Sequence, residues 1–384
     1  MAVTKKIFII AGEASGDRLG ASLMSSLRHI AAGATLDISG IGGEWMRREG
    51  LTSFFPMEEL SLMGFVEILP HIPRLKRRIA QTVAEIENTQ PDIVVTIDSP
   101  GFTYRVVRQL RENGSMPNTR FVHYVAPTVW AYKPKRAAKT AKLFDALLTL
   151  LPFEPPFFEA EGLETHFVGH PIATEAVPNE AEIKDVRQQY DINDEMPVIV
   201  AYAGSRTGEV ERLLPVYEQV FDGFWERVPH KIVLSTTAAQ EERVKRMTAN
   251  WKNTPLILSD ETEKKAILHG AYAVLAKSGT VALEVARAGV PMVTTHKVNP
   301  ASAWLVRRML RTDYVNLINI LHNRQVIEEC IQERCTAEVL SKAMNDITQF
   351  DDIRKKQQHA MAQAMEMLAS PHPHRAAEVV LADG

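Results

Sequence analysis

Short apolar runs rich in β-branched residues recur along this chain, each leading into a segment of helical periodicity, and the series occurs twice. A parallel crossover needs a dozen or more residues and buries both faces of its sheet, so this alternation specifies parallel sheets covered by helices. The first series predicts strands at Lys6–Ala11, Thr35–Ser39, Ile93–Asp98, Arg120–Val125, Ala146–Leu150 and His166–Val168. Helical patterns begin near Asp17, Pro73 and Phe102. The second series starts at Pro197 and predicts strands at Val198–Ala203, Lys231–Ser235, Leu256–Leu258, Ala273–Ala276 and Met292–Thr295. Beyond residue 324 the pattern reads as helix throughout.

An acidic, polar stretch at 172–195 separates the two series, and 384 residues exceed what a single core organises. The expected architecture is an α/β chain of two Rossmann-like domains, 1–172 and 173–345, facing an interdomain cleft. A helical C-terminal segment, 346–384, then packs back on the first domain or on a partner. In open parallel sheets ligands bind beyond the carboxyl ends of strands, so the residues just after each run matter most.

Bulk composition narrows the function. With 44 basic and 47 acidic residues the net charge is −3, which argues against a general nucleic-acid binder. Cys330 and Cys335 are not spaced as a CxxC pair, and a reducing, cytoplasmic setting fits them. The apolar run Ile7–Ala11 is too short for a signal peptide and reads as a first buried strand. No uninterrupted apolar stretch approaches the ~20 residues of a membrane span.

Several post-strand segments carry candidate chemistry. Gly12-Glu13-Ala14-Ser15-Gly16-Asp17 opens a helix whose N–H groups can receive an anion or hydroxyl, with Glu13, Ser15 and Asp17 as polar contacts. It fits neither GxGxxG nor a P-loop, and a tight turn with Asp17 starting the helix is the alternative. Asp98 ends a buried strand, placed to take a proton from an attacking hydroxyl or to cap the next helix. The segment from His123 through Trp130 to Tyr132 joins aromatic surface to polar handles suited to a sugar face, although His123 also reads as a core histidine. A cluster of Lys133, Lys135, Arg136, Lys139 and Lys142 follows; it suits a phosphate, an anionic membrane or a solvated face.

Residues 62–78 are the least comfortable in water. Met63, Phe65, Val66, Ile68, Leu69, Ile72 and Leu75 meet Arg74, Lys76, Arg77 and Arg78, the pattern of an interfacial membrane patch; ordinary helix–sheet packing is the alternative. In the second half, Gly204-Ser205-Arg206 and Ser278-Gly279-Thr280 follow strands, with Glu284 one turn into the next helix. Two such turns suit a nucleotide diphosphate, with Arg206 neutralising its charge and Glu284 accepting from ribose hydroxyls. Strict DxD and HExxH patterns are missing, so metal-independent chemistry without a cofactor is expected.

These segments, in this order, resemble the lipid-A-disaccharide synthase family of inverting glycosyltransferases. The likeness also includes Leu151-Pro152-Phe153-Glu154, Val168-Gly169-His170-Pro171 and Thr312-Asp313-Tyr314-Val315. It implies a GT-B fold and transfer of 2,3-diacylglucosamine from its UDP derivative to 2,3-diacylglucosamine 1-phosphate, forming a β(1→6) link. It further implies Asp98 as base, Glu13 in the acceptor site, and Asn319, Glu329 and Gln332 near the donor pocket. The 62–78 stretch becomes a docking surface for the anionic inner membrane, placing the protein on its cytoplasmic face; a homodimer is compatible. The chain departs from the family pattern at Tyr202-Ala203, Ile318 and Ala126. A UDP-N-acetylglucosamine 2-epimerase-like isomerase and a non-catalytic nucleotide-sugar binder are the alternatives.

Overall fold

The structure, a computed structural model, describes residues 4–31, 35–60, 72–225, 230–299 and 312–382. Six strands form the first sheet: β1 Thr4–Ala11, β2 Thr35–Ile41, β3 Ile93–Ile97, β4 Arg120–Tyr124, β5 Ala146–Thr149 and β6 Glu164–Phe167. All pair in parallel in the order β2-β1-β3-β4-β5-β6. Every residue of β3, Ile-Val-Val-Thr-Ile, is buried, because helices cover both faces of a parallel sheet. Its register sets Ile7 beside Ile93 and Ala11 beside Ile97, so β1 and β3 end side by side.

A second set of six repeats the plan: β7 Val198–Tyr202, β8 Lys231–Ser235, β9 Leu256–Leu258, β10 Ala273–Lys277, β11 Met292–His296 and β12 Glu328–Ile331. Its order is β12-β11-β10-β7-β8-β9, again all parallel. In each sheet the chain builds outward from a central strand and then returns to that strand's other side. The reversal falls between β1 and β3 in the first sheet and between β7 and β10 in the second, which creates a crevice at each pair of carboxyl ends.

The chain divides into two compact units, Met1–Pro171 with Leu368–Gly384, and Ile172–Met367. The return to the first unit therefore comes at Leu368, later than position 346. The helix Asp351–Leu368 stays with the second sheet through hydrogen bonds: Gln357 accepts from the Met292 N–H at 2.9 Å, and Arg354 donates to the Tyr272 carbonyl at 3.2 Å. Only the short helix Arg375–Leu381 packs on the first unit, against Ala14–Ile30, with Arg120 donating to the Val379 carbonyl at 2.8 Å.

β12 corrects the expectation of helix throughout the tail. Its four residues include two glutamates and carry no apolar alternation, but Glu329 turns inward to satisfy buried donors while Cys330 fills the core.

Candidate functional site

The crevice in the first unit is built by two close turns. A Cβ at Gly12 would sit 2.4 Å from the Ser99 hydroxyl, so only glycine lets the post-β1 turn approach the post-β3 turn this closely. Asp98 and Ser99 both take positive φ, 47° each, a conformation that costs a non-glycine residue energy and needs external support. That support is present: the Asp98 N–H donates to the Tyr124 carbonyl at 2.9 Å, and the buried Thr103 hydroxyl donates to the Asp98 and Ser99 carbonyls at 2.8 and 3.0 Å.

Two carboxyls share this crevice. Burial raises Asp98 above its ordinary range, against a lowering contribution from the Ser99 N–H. Glu13 is raised by partial burial and then by the charge of Asp98. Glu13 occupies the N-cap of the helix Ala14–Ile30 yet makes no side-chain cap bond, so its carboxyl is not committed to the helix. Tyr104, pushed up to about 12 mainly by burial, also lies within electrostatic reach of Asp98. A half-buried carboxylate of raised pKa is suited to withdrawing a proton from a hydroxyl near neutral pH.

Three expected contacts of the first unit are placed otherwise or in part. Asp17 is 2% exposed and accepts the N–H groups of Gly43, Trp45 and Met46 at 2.7, 2.9 and 3.1 Å, holding the start of the helix Glu44–Arg48. It supports the fold and is closed to a ligand. His123 is 1% exposed, bonded to the Thr96 hydroxyl at 2.7 Å and stacked on Phe144. Burial keeps its imidazole neutral, down to about 3, so it is the core histidine and not a sugar contact. Trp130 is half-buried and stays available; its indole N–H donates to Glu154 at 3.2 Å. Ser15 is exposed at the helix start.

The crevice in the second unit has the opposite character. Gly204, at φ 102°, lies so close to Glu209 that a Cβ would meet its carboxylate oxygen at 2.4 Å. Glu209 accepts from the Ser205 N–H at 3.2 Å and pairs with Lys277 at 3.0 Å and Arg206 at 3.8 Å. Burial alone would raise Glu209; the Lys277 hydrogen bond and charge, with Arg206 behind them, bring it below its ordinary value. Arg206 leaves 82% of its side chain exposed, so it can reach a ligand. Across the crevice, Gly279 has open space where a side chain would stand, and Thr280 begins the helix Val281–Ala288 without capping it. Ser278 is anchored to the Val315 carbonyl at 3.3 Å, and Glu284 is exposed in the first helical turn.

Asn319 and Glu329 are corrections. Asn319 is fully buried, accepts the Val326 and Ile327 N–H groups at 2.8 Å each and donates to Glu329 at 2.8 Å. Glu329 also accepts from the N–H groups of Val315 and Asn316. Their side chains are engaged internally, where they brace the segment before β12. Gln332, at φ 53°, accepts the Val298 N–H at 3.0 Å and holds the loop after β11.

Met63, Phe65, Val66, Ile68 and Leu69 lie outside the described residues, as does the Ile72 side chain. Leu75 packs on the first core, and Arg78 is bound to Glu59 with its guanidinium 4.4 Å from the centre of the Phe55 ring. Leu75 and Arg78 are half-buried, as is Arg74, and have these partners within the unit, whereas Lys76 and Arg77 are exposed.

Sequence reasoning missed Lys277, Glu209 and Glu154. Lys277 ends β10 one residue beyond the predicted strand, and Glu209 sits at a helical position that resembles any solvated glutamate. Glu154 is 3% exposed, and burial pushes it up to about 7 against donors from Leu151, Trp130 and Leu150.

A family model described as lipid-A-disaccharide synthetase matches residues 7–383. A lipid-A-disaccharide synthase of Ruegeria pomeroyi is 40% identical, covering 98% of this chain and 94% of its own. One from Rhodospirillum centenum is also 40% identical at the same coverage. Among solved structures, a UDP-N-acetylglucosamine 2-epimerase of Listeria monocytogenes superposes with a TM-score of 0.65 at 15% identity, covering 100% of this chain and 96% of that one. MurG of Acinetobacter baumannii superposes with a TM-score of 0.55 at 15% identity, covering 98% and 99%. At such identities the superpositions speak to the fold alone.

Proposed function

The chain belongs to the lipid-A-disaccharide synthase family and is a GT-B glycosyltransferase, and from that premise we propose that Asp98 drives its transfer reaction as the general base. The donor is UDP-2,3-diacylglucosamine and the acceptor 2,3-diacylglucosamine 1-phosphate; the products are the β(1→6) disaccharide 1-phosphate and UDP. The observation that carries this reading is the strained, half-buried Asp98, raised in pKa and neighboured by Glu13 at the first sheet's reversal point. Asp98 takes the proton from the acceptor 6-hydroxyl as that oxygen attacks the anomeric carbon. The bond from that carbon to the diphosphate breaks with inversion. Glu13 and Ser15 contact the acceptor, and Trp130 supplies an apolar face for a sugar ring.

On the donor side, Gly204, Ser205 and Arg206 with Ser278, Gly279 and Thr280 hold the diphosphate. Exposed N–H groups and a guanidinium stabilise the charge that grows on departing UDP. Lys277 adds positive charge beneath them, and Glu284 accepts from the ribose. The exposed cations Lys76 and Arg77 favour the anionic cytoplasmic face of the inner membrane, where both acylated substrates reside. No helix among the described residues is long and apolar enough to cross a membrane, and attachment is peripheral.

Purified protein supplied with both diacylated substrates should release UDP and a disaccharide phosphate in equal amounts. UDP release without disaccharide, or epimerisation of UDP-N-acetylglucosamine alone, would replace this reading.

A further inference from the structure

The turn after β8 breaks a local rule. Thr237-Ala238-Ala239-Gln240 has the sequence of a capping box, in which the threonine hydroxyl and the glutamine side chain each satisfy a backbone N–H at the helix start. Thr237 is the N-cap of the 11-residue helix Ala238–Thr248, but its side chain makes no cap bond. Gln240 instead points its amide nitrogen at the Thr207 hydroxyl, 3.4 Å away on the neighbouring helix. The hydroxyls of Thr236 and Thr237 and the Gln240 amide oxygen are left buried without a hydrogen-bond partner, with Thr236 5% and Gln240 9% exposed. Buried polar atoms are normally paired, and local rules fail most often where a ligand completes them.

The position suits a ligand. β8 lies beside β7, and the Thr236 N–H donates to the Leu258 carbonyl of β9, so the turn is one strand away from the crevice at β7 and β10. At about 4.8 Å per strand, a nucleotide whose diphosphate occupies that crevice can reach the end of β8 with its base. Ala238 and Ala239 are exposed, so the turn itself reaches solvent.

Local charge decides between a second anion and a neutral ring. Glu261 and Glu284 both act on the nearby half-buried Tyr202, and Glu241 stands on the helix itself. Lys264, which donates to the Thr236 carbonyl at 3.2 Å, is already paired with Glu261. A further phosphate is disfavoured among these carboxylates, and a neutral base is not.

We propose that Thr236, Thr237 and Gln240 form the base-reading pocket of the donor site and select uracil. Uracil presents acceptor, donor, acceptor along its edge. The Gln240 oxygen takes the ring N–H while threonine hydroxyls donate to the flanking carbonyls, each side chain turning about its own bonds to do so. Cytosine offers a bare ring nitrogen at the central position, where the Gln240 oxygen repels it. This inference depends on the donor being a nucleoside diphosphate held as described above.

The test measures binding of UDP and CDP to the full chain by calorimetry, in the wild type, Q240M, T236V and R206A. The wild type should prefer UDP by about tenfold or more, and Q240M should bring the two affinities within about twofold, mainly by weakening UDP. R206A should weaken both nucleotides equally. UDP bound with its preference intact in Q240M would overturn the base pocket and leave the donor reading standing, as would a wild type without preference. Failure of the wild type to bind either nucleotide would remove the donor reading and the pocket together. Should Q240M not fold, T236V carries the test, and an unchanged preference there overturns the proposal.

Discussion

The two crevices share a topology and differ in charge. In both sheets the strand order reverses beside the first strand of the unit, and in both a glycine after that strand is closely packed: Gly12 against Ser99 of the neighbouring turn in one, Gly204 against Glu209 of its own following helix in the other. The first then presents Glu13 and Asp98, carboxyls that burial, and for Glu13 also the charge of Asp98, push toward the protonated form. The second presents Arg206, Lys277 and open backbone. Topology therefore supplies the address, and the few side chains after each strand decide whether it holds a base or a diphosphate.

Removing the acid side should do the most damage. D98N should lower kcat by on the order of 10²–10⁴-fold with little change in the donor KM, measured in steady state with both substrates. Breaking the basic side should cost less and appear differently: R206A should lower kcat/KM for the donor by roughly 10–100-fold, because one charge-assisted contact to the diphosphate is lost. K277M sharpens the contrast. It leaves Glu209, with 11% of its side chain exposed, short of its main partner, so the variant should lose on the order of 1–2 kcal/mol in denaturant unfolding while Asp98-dependent steps keep their pH profile. Among the described residues no corresponding ion pair supports Glu13 or Asp98, and the Asp98 turn is held by backbone and Thr103 instead.

The last effect falls on stability alone, away from both crevice turns, and concerns Glu154. Its folded pKa of about 7 lies above the ordinary 4.5, so the folded state keeps a proton that the unfolded state loses between those values. Its contribution to stability is therefore largest below pH 4.5 and falls as pH rises toward 7. Chemical unfolding at pH 5 and pH 8 should show the wild type losing on the order of 1–3 kcal/mol more than E154Q across that interval.

Much of the plan was readable in the residues because parallel strands buried on both faces leave continuous β-branched runs, as in Ile93–Ile97. The turns holding Glu13, Asp98, Arg206 and Thr280 followed from those runs. What escaped has a common cause. β12 is a polar edge strand whose Glu329 points inward, so neither run length nor alternation marked it. Asp17 looked like a ligand contact because polar residues in turns look alike until burial is known, and Asn319 was named only by the family resemblance; both are spent on backbone partners, while His123 takes the core place that was its alternative reading. Lys277 and Glu209 lie 68 positions apart and acquire meaning only when β7 and β10 pair.

The most direct test of Asp98 as base is the pH dependence of kcat/KM in the wild type and in D98N. The wild type should show an acidic limb whose midpoint lies above the ordinary aspartate range, and D98N should lack that limb over the same interval. An identical acidic limb in both proteins would assign the proton transfer to another group.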